Sequence, residues 1–139
     1  MNSTRAFASG WVNSGWLRLW AGQADTAIEH FLTGTRLNPR APSPAASLGI
    51  GIGHFFARRF AEAEVALRRS LQLFPGWVGP YRWLASCYAH MGRLDEARAM
   101  VAGLRGATSD VGPTAKRYRN LEHRELYLSG LRLAAGEVT

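Results

Sequence analysis

Four histidines, one cysteine, a run of alternating glycines and several clusters of arginine are the residues here with chemistry to offer. His30, His54, His90 and His123 could ligate a metal, but no two stand three or four apart, so the spacing makes no helical metal pair. Cys87 is alone, which excludes an internal disulfide and a cysteine-based zinc cluster. It falls on the apolar side of a helical pattern, where a thiol is buried and inert. Gly49, Gly51 and Gly53 resemble a phosphate-cradling loop only in composition. A dinucleotide fingerprint needs a preceding strand and a third glycine at another offset, and His54 interrupts it here. Close helix packing is the expected use of these glycines. No nucleophile elbow organises the serines, histidines and acids. The expectation is a protein without catalytic residues, cofactor or metal.

Positive charge is the other candidate. Arg58-Arg59 and Arg68-Arg69 are paired, and Lys116, Arg117 and Arg119 cluster near the C-terminus. Such groups can hold phosphate backbones. Yet the 16 arginines are spread along the chain and no nucleic-acid motif accompanies them. Solvated outer faces with local ion pairs account for most, and nucleic-acid binding is the less favoured reading.

The elements that position these groups follow from length and pattern. The chain has 139 residues, 47% hydrophobic and 19% charged, with 17 basic residues against 10 acidic ones and a net charge of +7. That suffices for one domain with a core and not for two. Asn13, Ser14, Gly15 and Arg18 break the early apolar stretch after Arg5, unlike a signal peptide. No run of about 18 apolar residues exists to span a membrane, so a cytoplasmic location is expected. Met1 favours a complete open reading frame.

A repeat runs through the sequence. Gly22-Gln23-Ala24-Asp25-Thr26-Ala27 returns as Arg58-Arg59-Phe60-Ala61-Glu62-Ala63 and again as Gly92-Arg93-Leu94-Asp95-Glu96-Ala97. Phe31, Leu67 and Val101 match downstream, and Gly15, Gly51 and Ala85 match upstream. Apolar residues at helical spacing make each unit a pair of helices. The pattern predicts helices over 8–21, 24–37, 44–57, 60–73, 77–91 and 94–106. After Gly106 it predicts a short helix opening at Pro113 that includes Arg117, Tyr118 and Leu121. A second helix follows from about 122 to 135, and the two cap the last repeat's apolar face.

These units resemble the tetratricopeptide repeat (TPR), a helix–turn–helix of about 34 residues. The fold expected is therefore an all-α solenoid, with repeats at 8–41, 44–77 and 78–106 and a capping segment over 107–139, in a single domain. Several stretches resemble a narrower group. Ser14-Gly15-Trp16-Leu17-Arg18-Leu19-Trp20, Gly92-Arg93-Leu94-Asp95-Glu96-Ala97-Arg98 and Tyr127-Leu128-Ser129-Gly130-Leu131-Arg132 are similar to the C-terminal TPR region of class III adenylate/guanylate cyclases of rhizobial bacteria and of related winged-helix regulators. That resemblance implies an accessory scaffold or regulatory role; no cyclase or DNA-binding domain fits in the chain, so neither activity carries over.

In TPR arrays the first helix of each repeat lines a groove. Mapping the sequence onto that pattern gives Val12, Trp16, Leu19 and Trp20 from the first unit, Leu48, Ile52, Phe55 and Phe56 from the second, and Arg82, Ser86, Ala89 and His90 from the third. The lysines and asparagines of chaperone-type TPR clamps are missing. The expected partner is an apolar helix or peptide carrying an acidic group. The rival expectation is a homodimer formed through the first helix, since a short array leaves an end face uncovered.

Overall fold

The computed structural model describes residues 3–107 and 115–136, with the side chains of all but Ser3, Thr4 and Ala107. The described residues form seven α-helices and no strand: α1 (Ser3–Trp20), α2 (Ala24–Leu37), α3 (Pro44–Phe56), α4 (Phe60–Leu73), α5 (Gly79–His90), α6 (Leu94–Ala107) and α7 (Leu121–Ala134). The chain is an all-α helical-repeat solenoid. The helix pairs α1–α2, α3–α4 and α5–α6 stack in order, so α1, α3 and α5 line one face. The observed helices follow the predicted ones within two residues except at the start, where α1 begins five residues earlier.

The same turn joins the two helices of every pair. The position after each first helix has a left-handed backbone: Gly22 at φ 90°, Arg58 at φ 62° and Gly92 at φ 76°. Each turn ends its helix with the same pair of backbone bonds. In the first, Gly22 N donates to Leu19 O (3.1 Å) and Gln23 N to Arg18 O (2.9 Å); Arg58–Arg59 and Gly92–Arg93 repeat the pattern. This arrangement satisfies carbonyls that a helix end leaves bare, and glycine adopts it without steric cost. At α3 the start is fixed instead by Ser43, whose hydroxyl accepts from Ala46 N at 3.1 Å, with Pro44 in the first turn.

The glycines of α3 are contact points. A Cβ on Gly49 would overlap the Phe31 ring, one on Gly51 would come within 2.6 Å of Leu67, and one on Gly53 within 2.7 Å of Ile28. A Cβ on Gly15 of α1 would likewise come within 2.7 Å of the Phe31 ring. Phe31 is therefore clamped between α1 and α3. Ala27, Ala63 and Ala97, at matching places in the three repeats, are all fully buried. Small residues set the helix spacing, as close-packed interiors require.

Ion pairs tie each repeat to the next on the outside. Arg59, at the start of α4, reaches back to Asp25 at 2.6 Å. Arg93 reaches back to Glu64 at 2.7 Å while also holding Glu96 at 2.5 Å. Glu64 further accepts from Tyr88 Oη at 2.8 Å and Arg68 Nε at 3.2 Å. Burial pushes the Glu64 carboxyl up, but hydrogen bonds from Arg93, Tyr88 and Arg68 outweigh it and lower the group to about 2.

The C-terminal segment differs from expectation. Residues 115–120 form a turn rather than a helix; Tyr118 N bonds to Ala115 O at 3.1 Å, and Arg124 clasps the carbonyls of Tyr118 and Lys116. The helix expected to open at Pro113 lies partly outside the described residues, and Leu121 belongs to α7. Asn120 starts α7 by accepting from Glu122 N and His123 N at 2.9 and 3.1 Å. That side-chain cap fixes the boundary, because an N-cap residue stands outside the helix. A second difference is where α7 lies. It packs mainly on α5 and touches α6 only at an edge.

Candidate partner-binding groove

The face made by α1, α3 and α5 is divided in two by the C-terminal segment. One half stays open as a groove of about 710 Å³. Its floor and walls include Trp16, Trp20, Leu48, Ile52 and Arg82, which the sequence placed there. Asn13, Leu17, Ala45, Trp77, Gly79 and Trp83 also line it, and so do Arg117, Tyr118 and Tyr127 from the C-terminal segment. Four of the five tryptophans of the chain therefore face one space. Among the described residues, the charged side chains of the lining are Arg82 and Arg117. Arg117 lies over the Trp20 ring, 5.3 Å from its centroid, a cation–π contact that fixes one rim.

The remaining sequence-predicted residues stand elsewhere. Leu19 and Phe55 are fully buried. Phe55 meets Phe60 and Trp83 edge-on at 5.6 and 5.7 Å, so it belongs to the core between helices. Val12 lines a smaller cleft of about 250 Å³ with Arg5, Ala8 and Gly34. Phe56, Ser86 and His90 lie under the C-terminal segment, and Ala89 is buried.

The cover over that second half is closely fitted. His123 stacks on Phe56 at 4.2 Å and Tyr127 on Trp83 at 3.9 Å. Tyr118 meets both Phe56 and Trp83 edge-on, at 5.1 and 5.4 Å. Ser86 Oγ donates to Tyr127 O at 2.9 Å, and His90 Nε2–H donates to Leu126 O at 2.6 Å. Arg119 N bonds to Trp20 O at 2.9 Å, joining the segment to the end of α1. Burial lowers the affinity of His123 for a proton, with a small opposing effect of Glu122. Burial likewise raises the Tyr118 and Tyr127 hydroxyls well above the usual phenol range. Sequence reasoning missed the contribution of Arg117, Tyr118 and Tyr127, because a wall supplied from beyond the repeats leaves no mark in the repeat pattern.

The other reactive groups have structural surroundings. Cys87 is fully buried, its thiol 3.3 Å from Phe60 O, and burial pushes it up to about 12. His30 bonds to Ser14 Oγ at 2.8 Å and meets the edge of Trp11. His54 accepts from Arg59 Nε at 2.9 Å, and burial followed by the Arg59 charge lowers its proton affinity. Among the described residues no group of three His, Cys, Asp or Glu side chains could hold a metal ion. No helix there is long and apolar enough to cross a membrane.

The stack of helical hairpins with an aromatic groove on its first-helix face defines an all-α helical-repeat solenoid. Comparison with known proteins agrees at the level of the repeat. Residues 57–121 match the family model described as tetratricopeptide repeat. Solved structures share the fold. The first TPR of Spaghetti (RPAP3) bound to an HSP90 peptide, SRMEEVD, aligns with a TM-score of 0.72 at 18% identity, over 94% of this chain and 92% of that one. MamA aligns at 0.70 and 19% identity, over 93% and 77%. PilW, a type IV pilus biogenesis factor, aligns at 0.66 and 22%, over 93% and 58%. Among curated proteins, the Protein CTR9 homolog of Arabidopsis thaliana is 34% identical over 91 residues, 65% of this chain. The chain spans 8% of the length of that relative.

Proposed function

We propose that the chain is a protein-interaction module whose groove holds a short partner segment, one bulky apolar side chain seated beside a carboxylate. The observation that carries this is the lining of the groove: Trp16, Trp20, Trp77 and Trp83 around about 710 Å³, with Arg82 and Arg117 as the charged side chains among its described residues. The volume is that of a typical ligand cleft, and large apolar openings in a folded surface mark binding sites. TPR folds typically mediate protein–protein contacts, and one structural neighbour is bound to a peptide. Apolar burial supplies the affinity, and the arginines select acidic over basic segments. The test is a randomised octapeptide library presented to the full chain. Selected peptides should share an aromatic or large aliphatic residue next to Asp or Glu. Trp16→Ala should reduce their binding at least tenfold with helicity unchanged by circular dichroism. An unselective library, or full binding by Trp16→Ala, would remove this reading.

A second reading is self-association through α1. Phe7 and Leu17 are 67% and 63% exposed on that helix. A concentration-independent monomer in light scattering would exclude it. The finer assignment, an accessory module of a cyclase or transcription regulator in the cytoplasm, rests on the stretches around Trp16, Arg93 and Ser129; co-purification with such a protein tests it.

A further inference from the structure

We propose that the surface beneath α7 is a second docking site, beside the open groove and sharing Trp83 with it, for a partner helix with the chemistry of α7. That chemistry is an aromatic residue followed three positions later by a glycine. The structure displays the bound form, with the chain's own helix as occupant. A Cβ on Gly130 would overlap the Ser86 hydroxyl and come within 2.8 Å of Ser86 O. At this point, therefore, the two helices touch through backbone. Glycine at this place does two things: it admits the close approach, and it leaves the carbonyls one turn earlier reachable from α5. Ser86 and His90 use them, bonding to Tyr127 O and Leu126 O.

These two bonds read main chain. Any helix with a glycine in the same register presents the same acceptors. Selectivity comes from one side chain, the aromatic that stacks on Trp83, where Tyr127 is 1% exposed. Helix-in-groove recognition has this form, a few anchors at i, i+3 and i+4. The seat is also not the one that stacking of a further repeat would use. In this array each second helix is covered by the next first helix, as α2 is by α3 and α4 by α5. α7 instead lies on α5 and leaves Leu94 of α6 exposed. It thus occupies the face that recognises partners, and a helix of equal chemistry competes with it for Ser86, His90 and Trp83.

The experiment uses the full chain and a fluorescein-labelled peptide of residues 115–136 as probe. Gly130→Leu in the chain should loosen its own helix while leaving the seat intact. The labelled peptide should then bind this variant at least tenfold more tightly than the unsubstituted chain. Adding His90→Ala to the variant should reverse the gain, and a probe carrying the same Gly130→Leu change should not bind. Tyr127→Ala, which removes the anchor without overpacking, repeats the test if Gly130→Leu does not fold. Equal binding to all chains, or none to either loosened variant, would overturn the proposal. So would a loosened variant that dimerises in sedimentation without taking up probe, because the seat would then belong to a second copy.

Discussion

Gly49 and Arg58 show how far single residues govern this array. Phe31 is fully buried against Gly15 of α1 and Gly49 of α3, so a methyl added at either glycine meets its ring. Gly49→Ala gains roughly 1 kcal/mol of helix propensity but meets overpacking of about 1–3 kcal/mol. The sum is a loss, seen as a lower midpoint in urea. Gly10, also within a helix, has nothing within 4 Å of where a Cβ would sit. Gly10→Ala should raise the midpoint by the full propensity gain, and equal effects at the two sites would refute the clamp. Arg58 holds the left-handed turn that Gly22 and Gly92 occupy in the other repeats. A side chain there costs about 1–2 kcal/mol, part of which glycine gives back as unfolded-chain entropy. Arg58→Gly should therefore stabilise by about 0.5–1 kcal/mol in thermal unfolding; no gain would mean the turn is not strained.

At the scale of elements, the repeats are coupled by packing and by the outer ion pairs centred on Glu64. Its carboxyl lies at about 2 against an ordinary 4.5, so the folded state holds it ionised more strongly than the unfolded chain does. The stability it brings is fully present above pH 4.5 and is lost as pH falls through the window toward 2. Glu64→Gln should therefore weaken the protein at neutral pH and flatten its loss of stability in acid. Urea unfolding across that window measures both, and parallel curves for the two proteins would count against the coupling. The elements themselves were legible in the sequence. The bounds of α2 and α4 match expectation because Ala27, Phe31, Ala63 and Leu67 impose a strict helical period, broken at Pro39 and Pro75. The turn at 115–120 was not legible, because nothing local in Ala115–Asn120 forbids a helix. Its form comes from Arg124, Asn120 and the end of α1.

On the scale of the whole molecule, the sequence showed which helices face the groove but not how the groove is closed. Periodicity alone put Leu19 and Phe55 beside Trp16 and Trp20. A helix one residue out of phase turns from groove to core, and these two side chains are fully buried. Phe56, Ser86 and His90 stand on the expected face, yet α7 covers them. The open remainder is an aromatic cleft with Arg82 and Arg117 at its walls, and Trp16, Trp20, Trp77 and Trp83 make it self-reporting. The most direct measurement is a tryptophan-fluorescence titration of the full chain with the acidic peptide acetyl-Glu-Leu-Phe-Glu-amide and its Gln-Leu-Phe-Gln counterpart. The account predicts a saturable change with the acidic peptide, at least tenfold tighter than with the neutral one, and lost in Trp16→Ala. Equal response to the two peptides, or an unaltered response in Trp16→Ala, would contradict it.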